Sequence, residues 1–228
     1  MNKNELFFII RVFNEAKIVG TVIKELHSMG YKNLIVVDDG SSDNSLEILS
    51  KTNGIYLLHH VINRGAGAAL KTGIDYALTF KECKYIATID ADGQHRLSDL
   101  NKFIKVLDED SADFVIGSRF LNKESSKLVP FKKKLLLKAA IVVTIFLSSI
   151  RLTDSHNGYR VMNRKAAEQI SLTFDGFEYA SELIDEIEAN KLRIKEVPVN
   201  IDYTEYSMQK GQKMTNSIRI FFKMIFKK

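Results

Sequence analysis

Short apolar runs alternate along the chain with stretches in which apolar positions recur every three to four residues. The runs are LFFIIRV (6–12), NLIVVD (33–38), IYLLHH (55–60), YIATID (85–90) and FVIGS (114–118). They are apolar at successive positions, as in strands covered on both faces. Between them, residues near 16–29, 43–52, 66–80 and 98–109 carry the helical period. Strands and helices alternating in this way predict an α/β fold, a mostly parallel sheet flanked by helices. RLSDL (96–100) opens the last of these helices, with Ser98 placed to cap it.

In a parallel sheet the carboxyl ends of the strands point one way, so the residues that follow each run share one crevice. Those residues are Asn14 and Glu15, Asp38 and Asp39, Asn63 and Arg64, then Asp90, Asp92 and Gln94, and finally Ser118 and Arg119. Such a gathering predicts a site. Asp90 and Asp92 stand at i and i+2 in an extended segment and project to one side. Like charges so placed repel unless a cation lies between them. Mg²⁺ or Mn²⁺ suits this oxygen set, with Gln94 as a third ligand and substrate phosphates in the remaining positions. Helix capping does not explain the pair if Ser98 is the cap. An EF-hand is excluded, because Asn101 stands where a glutamate is needed. RGAGAAL (64–70) departs from the dinucleotide fingerprint at Leu70, so its glycines predict a tight helix start or a loop that approaches a ligand.

Composition sets the scale. A chain of 228 residues, 45% hydrophobic with two prolines, can bury one α/β core and carry an appended segment. The expected division is a domain over 1–205 and a basic loop with an amphipathic C-terminal helix over 206–228. Cys83 is the only cysteine, and Arg11 interrupts the first apolar stretch before it reaches signal-peptide length, so a cytoplasmic protein is expected. The net charge of +5 is concentrated late, for no acid follows Glu205. In QKMTNSIRIFFKMIFKK (212–228), Gln212, Asn216, Arg219, Lys223 and Lys227 share one helical stripe opposite Met, Ile and Phe. That helix either lies in a membrane surface or closes over the protein's own core. KKKLLLKAAIVVTIFLSSI (132–150) is too short for a span of ~20 residues. It reads as a core helix or as an interfacial helix whose Lys132, Lys133 and Lys134 meet anionic headgroups. Peripheral attachment to the inner face of the cell membrane is therefore expected. Nucleic acid is not, because an acidic crevice repels its phosphates.

VFNE (12–15), VVDDGSSD (36–43), NRGAGAAL (63–70), DADGQH (90–95) and GSRF (117–120), in this order, resemble the family 2 glycosyltransferases, nearest the branch containing dolichol-phosphate mannose synthase. DSHNGYRVM (154–162) and EVPVNIDY (196–203) extend the resemblance over nearly the whole chain. It implies a GT-A fold, a nucleotide-diphosphate sugar donor, a divalent metal at the D-x-D and inversion at the anomeric carbon. It also implies that Phe13, Asn14, Glu15 and Asp39 surround the nucleoside, and that Asp90, Asp92 and Gln94 meet metal and diphosphate. Asn63 joins the substrate-binding set at the same crevice. Two departures stand out. Arg11 replaces a usual proline, which bears on the shape of the first loop but on no catalytic group. YSMQKGQK (206–213) replaces a phosphate-gripping G-x-S-K element and resembles a variant among bacterial polysaccharide glycosyltransferases. There Lys210 and Lys213 either close over the diphosphate or form a solvated basic loop.

The expected reaction builds negative charge on the departing diphosphate, which a metal held by Asp92 stabilises. An anionic phosphate acceptor would be held by Arg119 and Arg160, whereas a sugar hydroxyl would need a carboxylate base, Asp154 or Glu178. Arg160 could instead pair with an acid inside the fold. The acceptor is expected to be polyprenyl phosphate or a polyprenyl-linked glycan, in cell-surface polysaccharide synthesis. Other classes fit less well. A sugar nucleotidyltransferase would carry a glycine-rich basic loop after the first strand, which RVFNEAKIVG (11–20) lacks. A phosphohydrolase would have its acids after that strand. A non-catalytic membrane-associated module leaves the acidic crevice unexplained.

Overall fold

The computed structural model describes residues 1–121 and 150–202. The Lys132–Lys134 run, Lys210, Lys213, the basic tail and the boundary expected near 205 lie outside the described residues. The five strands and four helices predicted over residues 6–118 are present: β1 (Leu6–Val12), α1 (Val19–Ser28), β2 (Leu34–Asp38), α2 (Ser45–Ser50), β3 (Tyr56–His59), α3 (Ala66–Leu78), β4 (Tyr85–Asp90), α4 (Leu100–Asp108) and β5 (Phe114–Ser118). Four further elements follow: β6 (Arg160–Asn163), α5 (Arg164–Gln169), α6 (Tyr179–Ala189) and β7 (Ile194–Pro198).

The strands form one sheet in the order β3-β2-β1-β4-β6-β5-β7. Every pairing is parallel except those of β6, which runs antiparallel between β4 and β5. All seven residues of β1 are buried. Alternation along β1 sends Phe8, Ile10 and Val12 to a core shared with α1 and α4. Phe7 and Ile9 face the opposite core, with Ala69, Leu70 and Ile74 of α3 and Leu183, Ile184 and Ile187 of α6. Arg11 continues the Phe7–Ile9 side by the same period-2 rule, and it stands in register with Asp90 of β4.

Two local expectations meet the structure differently. Ser98 does not cap α4. It is exposed, and the helix opens through a 3₁₀ turn over Leu97–Asp99 that lacks a side-chain cap. Asp99 turns instead to the chain beyond β7, accepting from the Asn200 backbone N–H at 2.7 Å and from Lys102 Nζ at 2.6 Å. The glycines of RGAGAAL do start α3 tightly. A Cβ on Gly67 would lie 2.0 Å from the Phe174 carbonyl oxygen. The Gly67 and Ala68 N–H groups donate to the Asp175 carbonyl, at 2.8 and 3.1 Å. These glycines serve the approach of α3 to the 174–176 loop.

The far half of the sheet is tied by one acid. Asp113, just before β5, accepts from Arg193 N, Nε and Nη2, each at 3.0 Å, and from Asn163 Nδ2 at 3.1 Å. It thereby joins the ends of β5, β6 and β7. Arg193, which is half exposed, holds the Asp113 carboxyl well below the usual carboxylate range. Asp113→Ala is expected to lower the unfolding free energy by about 2 kcal/mol, the scale of lost hydrogen bonds to a charged group. Because the folded-state pKa is depressed, this contribution is present above the unfolded value near ~4 and is lost as pH falls below it. Urea unfolding of both proteins should therefore show a constant gap from neutral pH down to about 5 and a narrowing gap in more acid buffer.

Candidate active site

At β1 the chain order reverses, with β2 on one side and β4 on the other, the position where an open sheet leaves a crevice at its carboxyl edge. The loops that frame this crevice are built by residues expected to hold a nucleoside. Asn14 adopts a left-handed backbone (φ 58°), which asparagine tolerates. Its side-chain oxygen accepts from Ser42 N at 2.7 Å and Asp43 N at 3.2 Å, joining the loop after β1 to the loop after β2. Asp39 is 3% exposed. It accepts from Asn63 Nδ2 at 2.9 Å, Arg64 N at 3.0 Å and Gly65 N at 2.7 Å, and lies 2.7 Å from His60 Nδ1. Asn14, Asp39 and Asn63 are thus the crevice's framework. Phe13 is exposed at its mouth, and Glu15 is half-buried close enough to Asp92 for its charge to be felt there. Asp38, which the sequence placed in the crevice without a role of its own, is fully buried, accepts from Ser41 N at 3.2 Å and lies 3.0 Å from His59 Nδ1, while its Oδ1 has no partner among the described residues. The adjacent acids of VVDDG were the signal for it.

Asp90 ends β4 beside Arg11. The Arg11 guanidinium is buried, and its Nη2 forms a short ion pair with Asp90 Oδ1 while Nη1 donates to the Tyr179 hydroxyl at 2.5 Å. The expectation that Arg11 bears on no functional group is therefore corrected: the strand register brings its charge onto the first acid of the D-x-D. Gly158 makes room for the pair, since a Cβ there would lie 2.3 Å from Asp90 Oδ2. His95 Nε2 stands 3.7 Å from the same oxygen. Desolvation opposes ionisation of Asp90, but Arg11, helped by His95 and Arg160, overrides it and holds the carboxyl well below its usual range. Asp92 is shifted the other way, up, by burial and then by the charge of Asp90.

Asp92 Oδ1 accepts from the Gln94 N–H at 3.0 Å, in a turn that Gly93 completes with φ 69°. Its Oδ2 accepts no hydrogen bond among the described residues. Among those residues no group of three His, Cys, Asp or Glu is arranged to hold a metal. The pair nevertheless fits a hard dication: two carboxylates face one crevice, and a cation would relieve the repulsion that raises Asp92. Gln94 is half-buried next to them.

On the other side of Asp90, Arg119 and Asp154 are both buried. Asp154 Oδ2 accepts from Arg119 Nε at 2.5 Å and from the Arg119 backbone N–H at 3.1 Å. Glu196 in turn accepts from the Thr153 and Asp154 N–H groups, at 2.9 Å each. Asp154 is thus a counter-ion closed off from solvent. Glu178 is half-buried, its carboxylate folded over Gly176. Arg160 is fully buried yet forms no ion pair with an acid among the described residues, against one of its two expected roles. Its Nη1 donates to the Tyr179 hydroxyl at 3.0 Å, and its Nε and Nη2 find no partner among the described residues. Tyr179, which sequence reasoning missed, lies between two guanidiniums, with Arg11 and Arg160 5.3 and 5.2 Å from its ring centroid. Burial raises its pKa, but the two cations outweigh that and lower it. Desolvation, with Arg160 adding to it, lowers His156 to about 4, so this imidazole is neutral at pH 7.

Residues 7–171 match the family described as Glycosyl transferase family 2. An uncharacterised protein of Methanocaldococcus jannaschii is 40% identical over 100% of this chain and 94% of its own. A UDP-N-acetylglucosamine–dolichyl-phosphate N-acetylglucosaminyltransferase of Methanococcus voltae is 32% identical over 98% of this chain and 96% of its own. Among solved structures, glucosyl-3-phosphoglycerate synthase from Mycobacterium tuberculosis, in complex with Mn²⁺, UDP and phosphoglyceric acid, superimposes with a TM-score of 0.65. That match covers 97% of this chain and 78% of the other at 14% identity, and it identifies the fold as GT-A. With the family match spanning well over half of its residues, the chain belongs to glycosyl transferase family 2.

Proposed function

We propose that the protein is an inverting, metal-dependent glycosyltransferase that moves a sugar from a nucleotide-diphosphate donor to a polyprenyl-phosphate acceptor. The observation that carries this reading is the nearness of the Asp90–Asp92 carboxylates to a buried guanidinium, Arg160, that forms no ion pair with an acid among the described residues. The first set suits a donor diphosphate and the second suits an anionic acceptor. The Methanococcus voltae relative, whose name specifies a dolichyl-phosphate acceptor, supports the second half.

Asp90 and Asp92, with Gln94, would hold Mg²⁺ or Mn²⁺, which when bound offsets the charge gathering on the leaving diphosphate. Phe13 and Glu15, with the backbone walls that Asn14, Asp39 and Asn63 shape, receive the nucleoside. Lys210 and Lys213 close over the diphosphate. Asp154 fixes the orientation of Arg119, and Arg119 with Arg160 holds the acceptor phosphate. A phosphate is already anionic and needs no strong base. Were the acceptor a glycan hydroxyl, Glu178 would be the carboxylate to activate it, since Asp154 is closed off from solvent. No helix among the described residues is long and apolar enough to cross a membrane. Attachment to the inner membrane face would rest on the basic tail, whose anionic-lipid contacts contribute about 1 kcal/mol per basic side chain.

UDP-, GDP-, CDP- and dTDP-sugars, screened by thermal stabilisation with and without Mn²⁺, should yield one donor whose effect requires the metal. Turnover should then be seen with polyprenyl phosphate. Asp92→Asn should stay folded, lose the metal-dependent stabilisation and transfer sugar about 100-fold more slowly. Transfer at the parent rate would exclude the metal role. Arg160→Lys keeps the charge but loses the planar fork, so it should lower kcat/KM for the acceptor by about tenfold or more while donor affinity stays within about threefold. Equal losses on both substrates, from calorimetry beside steady-state kinetics, would move Arg160 to the donor side.

A further inference from the structure

We infer that Arg11 is a resident cation of the D-x-D carboxylates, one that competes with the divalent metal in the nucleotide-free protein and so couples metal loading to the arrival of the diphosphate. This rests on the metal role proposed for Asp90 and Asp92 and adds a residue that works against it. The Arg11 guanidinium is held from three directions: Nη2 on Asp90 Oδ1, Nη1 on the Tyr179 hydroxyl, and Nη1 again at 3.5 Å from the Ala66 carbonyl. Its side chain is 8% exposed and that of Asp90 39%, so the cation is fixed in the sheet while the acid faces the crevice. The pair is built into the backbone as well. Arg11 and Asp90 are register partners on adjacent parallel strands, and Gly158 is the residue whose missing Cβ leaves space for Asp90 Oδ2 and, at 3.3 Å, for Arg11 Nη2.

The local charge balance gives the consequence. Arg11 and Arg160 both flank Tyr179, and Asp90 answers only one of them. Arg11 and Arg160 already offset the charges of Asp90 and Asp92, so a dication added there is left short of compensating charge, and like charges at close range in a desolvated site repel strongly. A diphosphate brings the missing negative charge. Metal alone should bind weakly and metal with nucleotide well, and the size of that difference should depend on the charge of residue 11. Arg11 is held by Asp90, Tyr179 and the Ala66 carbonyl and acts through Asp90, so it is a positioning residue.

The test is Mn²⁺ binding by electron paramagnetic resonance of the unbound ion, supported by calorimetry. It uses the intact protein without nucleotide, and then with the nucleoside diphosphate chosen by the donor screen. Arg11→Gln keeps hydrogen-bond donors for Asp90 and Tyr179 but removes the charge, and circular dichroism checks its fold. Removing one adjacent unit charge should tighten nucleotide-free Mn²⁺ binding by about tenfold or more. The nucleotide should then enhance Mn²⁺ affinity less than in the parent protein. Arg11→Lys should restore the parent's weak binding, which a merely structural role for the side chain would not require. If Arg11→Gln is too unstable to measure, Tyr179→Phe frees one anchor of the guanidinium and should shift Mn²⁺ affinity in the same direction by a smaller factor. Folded Arg11→Gln that binds Mn²⁺ no tighter than the parent, while the parent binds it with nucleotide, overturns this inference and leaves the proposed function standing. A parent protein that takes up no Mn²⁺ even with nucleotide overturns both.

Discussion

The Arg11 guanidinium lies inside the sheet, where desolvation without a partner would cost several kcal/mol, and Asp90 on the next strand is the partner that makes its burial tolerable. Much of the crevice is arranged around that pair. Gly158 clears the space it occupies, Tyr179 takes the second Nη of Arg11, and Arg160 donates to the same tyrosine hydroxyl. The carboxylate that an α/β sheet presents at its switch point is thus held in place before any ligand arrives. Asp92, two residues on, has no such partner among the described residues, and burial together with the charge of Asp90 raises its pKa. One acid is settled and the other is left wanting a cation.

The walls of the crevice follow a related rule. Loops at the end of a sheet carry backbone N–H groups that must find acceptors. Asp39 supplies them to the loop before α3, Asn14 to the loop before α2, and Glu196 to the turn at Thr153–Asp154. Each of these bonds joins segments far apart in the chain. The crevice's shape is therefore a tertiary property, fixed by side chains that need never touch a ligand.

The five strands and four helices of the first half were legible because strands covered on both faces must be apolar at nearly every position, as LFFIIRV and NLIVVD are. β6 and β7 were not. Arg160 and Asn163 begin and end a four-residue strand, and Lys195 and Glu196 interrupt the other, so neither presents an apolar run. α6 has a readable period in Tyr179, Leu183 and Ile187, and its place was open to pattern reading. The polar residues that follow the strands were named, but Tyr179 and the division of labour among them were not. Asp and Asn are the residue types that build tight loops and also the types that bind ligands, and only contacts separate Asp39, fully occupied, from Asp92, half free. Arg11 was discounted although a charge in the interior of a doubly covered strand demands an acid nearby, and its strand neighbour could have been sought among the carboxylates at the end of β4.

The antiparallel placement of β6 has a consequence for how this architecture can vary. The chain leaves the sheet at Ser118–Arg119 and returns at Thr153–Asp154, and these two points are stitched together by Ser118 Oγ to Thr153 Oγ1 at 2.6 Å and by Arg119 to Asp154. These bonds close the base of the chain that runs between the two points. Closing a longer loop at a fixed base costs only about 0.6 kcal/mol per doubling of length. Strand pairing and the Arg11–Asp90 register lie below that base and do not depend on the loop's length. The length of chain between Arg119 and Thr153 can therefore vary while the sheet beneath these bonds keeps its geometry.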